Sequence, residues 1–220
     1  MIQSKQQVEE IFEDQLKKCK VDYFDFYLAH GLNSHAYETF KKYEVYDVLN
    51  KKKQEGKIKY LGFSFHDVPE LLEEIVSKYK WDFVQLQVNA IDWEMVNAQK
   101  QYEIAEKNGL QVIVMNPLRG GQLSTLNEES AAILKQANQD ASLSSWGLRY
   151  VGSKSNILCT LSGMTTIDQL KDNVNTFTNF KPLDDKEQKI YKQAIEKYKL
   201  SGAIACTGCK YCIECPVGIE

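Results

Sequence analysis

Residues 23–33, YFDFYLAHGLN, run through aromatic and aliphatic side chains before meeting His30, Gly31 and a polar turn. A short apolar run that ends this way reads as a buried strand whose carboxyl end carries an imidazole out of the core. Upstream, Ser4 and Gln7 make a capping box, and Val8, Ile11, Phe12, Leu16 and Cys19 recur at helical spacing, so an amphipathic helix is expected over 5–19. Downstream, a helix is expected over about 37–55, stopped by Gly56, and then a strand, IKYLGFSF, at 58–65. Asp67 and Glu70 can cap a helix over about 68–79, WDFVQLQV (81–88) reads as a third strand, and 93–108 as a helix stopped at Gly109. QVIVMNP (111–117) is a fourth strand. After an RGG turn and a polar loop come helices near 127–137 and 142–152, then ILCTLSG (157–163) as a fifth strand. A helix over 167–178, opened by Thr166 and Gln169, and another near 184–199 complete the pattern.

Five alternations of strand and helix with short connections are the signature of βαβ units and a parallel sheet. Such a sheet carries helices on both faces or closes into a barrel, and in a barrel the chemistry sits at the carboxyl ends of the strands. That rule collects His30 and Asn33, Ser64 and His66, Gln87 and Asn89, Asn116 with Arg119, Gly120 and Gly121, and Ser162 with Gly163. The competing reading makes these residues turn formers that satisfy local backbone groups, and His30 a satisfied core histidine.

Hydrophobic residues are 43% and charged residues 26% of 220, which sustains a sizeable core in an ordinary globular chain. A formal net charge of −3 without a long Lys/Arg block argues against a nucleic-acid or anionic-membrane partner, since both need concentrated positive charge. No apolar run approaches the length of a bilayer span, and MIQSKQQVEE lacks the layout of a secretory leader, so a cytoplasmic location is expected.

Four of the six cysteines, Cys206, Cys209, Cys212 and Cys215, fall within ten residues, which favours metal over disulfides. Thiolates three apart on a tight loop reach three corners of a cubane, and a trailing Cys-Pro, here Cys215 and Pro216, is typical of bacterial ferredoxin loops. A 4Fe-4S cluster is expected. Zinc is the rival, although it usually takes two C-x2-C knuckles with a longer spacer, and an uncommitted redox tail is the remainder. Two residues separate the last pair where the ferredoxin run has three, so whether Cys215 serves this cluster or another stays open. Cys19 and Cys159 read as core residues.

Five segments in order resemble the aldo/keto reductase family: DYFDFYLAH (22–30), GKIKYLGFSFHD (56–67), VQLQVNAID (84–92), NPLRGGQL (116–123) and LSGMTTIDQLKDNV (161–174). The resemblance implies a (β/α)8 TIM-type barrel that passes hydride between a nicotinamide cofactor and a small carbonyl or alcohol substrate. It makes His30 the catalytic histidine that orients the carbonyl. It puts Ser64 and Gln85 at the nicotinamide amide with Asn89 close by. The loop Asn116 to Gly121, including Leu118 and Gly120, falls along the pyrophosphate, where glycines let backbone N–H groups approach an anion. Ser162, Gly163 and Met164, with Gln169 and Asn173, fall at the adenine and its 2′-phosphate. Members that grip that phosphate usually bring Lys or Arg, and here Gly163, Met164 and Gln169 stand instead, so NADPH and NADH both remain open.

The resemblance begins at the helix before the family's fourth strand, and the family's aspartate, tyrosine and lysine have no counterpart. The expected fold is therefore an incomplete α/β barrel, its last five β/α units over 1–200, followed by an iron–sulfur segment at 201–220. The combination resembles the subgroup with a ferredoxin-like carboxyl-terminal extension. Five parallel strands cannot close an eight-stranded ring, so the outer strands should leave open edges and an exposed apolar interior. The chain is expected to be a piece of a longer enzyme, cut at both ends and inactive as written, with an electron-transfer partner if the cluster passes electrons. The alternative function is a non-catalytic module that binds nucleotide or metal.

Overall fold

The computed structural model describes residues 2–201. The four expected cluster ligands, Cys206, Cys209, Cys212 and Cys215, lie outside the described residues. In chain order the elements are α1 (Lys5–Cys19), β1 (Phe24–Leu32), α2 (Ser34–Lys42), α3 (Val45–Gln54), β2 (Ile58–Phe65), α4 (Pro69–Lys78), β3 (Phe83–Gln87) and α5 (Asp92–Met95). They continue as α6 (Ala98–Lys107), β4 (Gln111–Met115), α7 (Glu128–Ala137), α8 (Leu143–Gly152), β5 (Ile157–Thr160), α9 (Ile167–Thr178) and α10 (Asp185–Leu200), with a 3-10 turn at Gln122–Ser124 between β4 and α7.

The five strands hydrogen-bond in the order in which they occur. β1 runs parallel to β2 from Phe24 opposite Ile58 to Ala29 opposite Phe63, and β2 parallel to β3 from Gly62 opposite Phe83 to Ser64 opposite Gln85. Gly62 is obligatory at that crossing: a Cβ there would lie 2.6 Å from the Phe83 ring and from its carbonyl oxygen. β2 is buried on both faces from Leu61 to Phe65, as a covered parallel strand must be, whereas β1 and β5 expose apolar side chains, Phe26 at 46% and Leu158 at 44%.

The described chain forms two compact units, one of residues up to Leu86 with Gln99–Ile113, the other of Gln87–Ala98 with Val114 onward. In the first, Phe12 of α1, Leu61 and Phe63 of β2 and Leu72 and Ile75 of α4 are fully buried. In the second, Leu123, Leu134, Trp146, Leu183, Tyr191 and Ala194 make one continuous apolar cluster between α7, α8 and α10. Among the described residues no helix is long and apolar enough to cross a membrane.

Several expected features differ. The helix expected over 37–55 is two helices, because Glu44 takes a left-handed φ of 51° and interrupts the i→i−4 ladder. The one expected over 93–108 breaks the same way at Asn97, φ 54°. The strands expected over 81–88, 111–117 and 157–163 are shorter, ending before Asn89, Asn116 and Ser162, whose side chains accept from Ile91 N, Gly120 N and Asn173 Nδ2. Asp67 does not cap α4, whose first position is the preset Pro69; its carboxylate accepts from the N–H groups of Ser34 (2.6 Å) and Val68 (2.8 Å). Cys19 and Cys159 are exposed, not core. The buried stripe of α1 is Val8, Phe12 and Leu16, which leaves Cys19 to one side, and β5 is an outer strand.

Candidate functional site

In the first unit the register of β1 against β2 slips between Ala29 and Leu32: three steps on β1 match two on β2, from Phe63 to Phe65. The extra residue is accommodated at His30 and Gly31, where Gly31 takes φ 71°. A bulge of this kind bends the strand and re-aims a side chain. It is pinned on both sides, by the Gly31 N–H donating to Ser64 Oγ at 2.7 Å and by the His66 N–H donating to Leu32 O at 3.0 Å. His30 emerges exposed, not sealed in hydrocarbon, while Ser64 is fully buried. His66, at the end of β2, has its imidazole pKa held below 6.5, first by burial and then by the neighbouring charge of His30. Gln85 is half-buried on β3.

In the second unit the turn after β4 folds back on itself. Asn116, Arg119, Gly120 and Gly121 all take positive φ, at 56°, 51°, 63° and 94°. The amide of Gly120 donates to Asn116 Oδ1 at 2.6 Å and that of Gly121 to Leu118 O at 3.0 Å. These N–H groups are spent inside the loop, which corrects the expectation that the glycines present them to an anion. What the glycines contribute is left-handed backbone and bare surface: a Cβ on Gly121 or Gly163 would meet nothing within 4 Å. Leu118 docks against α8 at Gly147, where a Cβ would come within 2.6 Å of its methyl group.

Opposite this loop, the turn Gly163–Thr166 is fastened to α9. Gln169 Oε1 accepts from Thr165 N at 2.8 Å and Thr166 N at 3.2 Å, and Thr166 Oγ1 accepts from Gln169 N, the capping box expected from sequence. Asn173, buried on α9, donates to Ser162 Oγ at 2.9 Å. Between loop and turn lies a cavity of about 590 Å³ lined by Asn116, Leu118, Gly120, Gly121, Ser162, Gly163, Met164, Gln169 and Asn173. Nine expected residues thus meet at one cavity of a size that suits a small-molecule ligand. Ser124, Thr125 and Ser144 also line it and were missed; the serine-rich LSS run at 143–145 was the available signal. Among the described residues, none lining the cavity carries a charge.

Asn89 is not part of that lining. It is fully buried, its Nδ2 donates to Asp92 Oδ2 (2.6 Å) and Asn116 O (3.1 Å), and its Oδ1 accepts from the N–H groups of Ile91 and Asp92. Arg119, expected among the strand-end polar residues of a site, is 2% exposed and donates from Nε to Asp92 at 3.1 Å. Asp92 itself escaped notice; its signal was the Asn-x-x-Asp spacing directly after a strand. Among the described residues no group of three or more His, Cys, Asp or Glu is placed to hold a metal ion.

Comparison with known proteins bears on this arrangement. The NADH-specific methylglyoxal reductase of Escherichia coli K12 is 24% identical over 185 residues, 72% of this chain and 56% of that protein. This chain therefore spans little more than half the length of that curated relative. An aldo-keto reductase of Bacillus halodurans in its holo form superposes with a TM-score of 0.70 at 24% identity, covering 89% of this chain and 67% of that one. The glycerol dehydrogenase of Gluconobacter oxydans gives a TM-score of 0.72 at 19% identity over 89% of this chain and 65% of its own. These likenesses establish a shared fold. Because the aldo/keto reductase family model matches residues 3–196, most of the sequence, the chain belongs to the aldo/keto reductase family.

Proposed function

We propose that this chain is the nucleotide-handling part of an NAD-dependent oxidoreductase acting on small carbonyl or alcohol substrates, with NADH preferred to NADPH. The observation that carries the reading is the uncharged, hydroxyl-rich cavity of the second unit. Its size, its glycine-bared walls at Gly121 and Gly163, and the side chains of Ser162 and Asn173 suit an adenosine and its diphosphate, while a 2′-phosphate dianion would meet no cation among the described lining residues. The NADH specificity of the E. coli relative points the same way.

When bound, a nicotinamide supplies or accepts hydride; what the protein adds is orientation and a hydrogen bond to the carbonyl. His30 suits that second task, since the bulge pinned by Ser64 holds it out at the strand end. Ser64 and Gln85 are the proposed holders of the nicotinamide amide, with Asn89 supporting from within. No residue of this sequence matches the family's proton-donating tyrosine, its lysine or its aspartate, so nucleotide binding without turnover is the proposed behaviour of this chain alone. We further propose a cytoplasmic location, a barrel portion over 1–200, and a 4Fe-4S cluster on Cys206, Cys209, Cys212 and Cys215 that exchanges electrons with a partner; the support is the cysteine spacing.

The test is equilibrium binding of NADH and NADPH by fluorescence, together with carbonyl-dependent NADH oxidation using methylglyoxal as first probe. Saturable NADH binding, weaker NADPH binding and no turnover are expected. Absence of binding to either nucleotide refutes the reading, and turnover by the unaltered chain refutes the proposal of binding without turnover. Anaerobic reconstitution tests the cluster: a visible absorbance band supports it, and stoichiometric zinc without a chromophore removes it.

A further inference from the structure

We propose that the buried Asp92–Arg119 pair, bridged through Asn89 to the carbonyl of Asn116, is a positioning element that holds the 116–121 loop in the shape a dinucleotide's phosphates lie against. This deepens the nucleotide reading and rests on it. Asp92 Oδ1 receives Arg119 Nε at 3.1 Å, and its Oδ2 receives Gln87 Nε2 and Asn89 Nδ2, both at 2.6 Å. Asn89 Nδ2 also reaches Asn116 O at 3.1 Å, and Arg119 Nη1 reaches Gln122 Oε1 at 3.2 Å. The network therefore grips the loop at its first residue, in its middle and just beyond its end.

The two non-glycine residues of this loop with left-handed backbone are Asn116 and Arg119, the same two that the network ties down. Left-handed conformations at such residues persist where the surroundings over-determine them. Side-chain exposures of 2% and 0% put the ion pair out of water, where apolar residues of similar volume would usually serve stability as well or better. Apolar residues would not fix the direction of a loop carbonyl or the path of a guanidinium fork. The glycine surface and the Leu118 wall of the cavity follow directly from that path.

The experiment uses the full chain with Asp92→Asn, Arg119→Lys and the double variant Asp92→Asn/Arg119→Met, which leaves no lone buried charge should a single variant fail to fold. Affinities for ADP-ribose and for adenosine are measured, with the amide signals of Gly120 and Gly121 recorded in the free proteins. Asp92→Asn and the double variant should bind ADP-ribose about tenfold more weakly, because the phosphate-facing loop is no longer preorganised. Adenosine affinity should hold, Arg119→Lys, which keeps a cation against Asp92, should lose less, and both glycine signals should move. Unchanged ADP-ribose affinity, or an equal loss for adenosine, would overturn the proposal. If the unaltered chain binds neither ligand, the nucleotide reading fails, while the glycine signals still decide this inference: movement supports it and constancy overturns it.

Discussion

Replacing Met164 by lysine should turn the nucleotide preference toward NADPH. Met164 lines the cavity beside Gly163 and is 39% exposed, so a lysine there reaches the cavity without being stripped of water. A unit charge pair 4 Å apart is worth about 1 kcal/mol in bulk water and about 4 kcal/mol at an effective dielectric of about 20. The partial exposure puts the pair toward the lower end, and ordering the lysine side chain removes up to about 2 kcal/mol more. A 2′-phosphate carries close to two charges, which about doubles the attraction to about 2–4 kcal/mol at this exposure, so the net gain is about 1–2 kcal/mol, or roughly five- to thirty-fold in the NADPH to NADH affinity ratio. NADH should be affected much less, since its 2′-position carries an uncharged hydroxyl and its diphosphate is proposed to lie along the 116–121 loop, away from the 2′-position. Fluorescence titrations with both nucleotides at low and high salt provide the assay, and the gain should shrink as salt screens it. A ratio that stays put, or a change of equal size for both nucleotides, would refute the placement of the 2′-position against Met164.

Gly147→Ala sets helix propensity, worth about 1 kcal/mol in favour, against a Cβ 2.6 Å from Leu118, for which overpacking costs about 1–3 kcal/mol. Denaturant midpoints should therefore fall slightly, and NADH affinity should fall with them as Leu118 is pushed from the cavity wall. His66 should titrate below 6.5 in proton NMR, and His30→Gln should raise its pKa by removing the second of its two causes. The stability tied to neutral His66 is present above pH 6.5 and is lost as pH falls through the lowered value. Glu13 has its carboxyl lowered to about 2, first by its hydrogen bond to Lys52 and then by that to Lys57, at 2.7 and 2.8 Å. Its contribution is complete above pH 4.5 and fades as pH falls toward 2; in Glu13→Gln, thermal melts should lose part of their pH dependence across that window.

Periodicity carried the fold where one side chain pattern decides the matter. The strand IKYLGFSF and the helix opened by Thr166 and Gln169 occupy the residues expected of them, because burial on both faces and a reciprocal cap are local properties written in neighbouring residues. The helix breaks at Glu44 and Asn97 were not legible, since neither position carries a glycine or proline to announce a left-handed turn. At the cavity, Gly120, Gly163, Met164 and Asn173 could be collected from strand ends and family resemblance, but the use of each could not. Whether a loop amide faces a ligand or its own loop depends on how the turn closes, and Gly120 and Gly121 close inward. The same limit hid Arg119 and Asp92. A guanidinium in a glycine-rich loop looks solvent-facing until a carboxylate from another element is found against it.

The most direct measurement is a titration of NADH into the isotopically labelled full chain, followed through its backbone amide signals. Shifts at Gly120, Gly121, Ser162, Gly163, Gln169 and Asn173 that saturate together with a single affinity are the expected result. Saturable shifts confined to other residues, or none at any NADH concentration, would contradict the assignment of this uncharged cavity to the nucleotide.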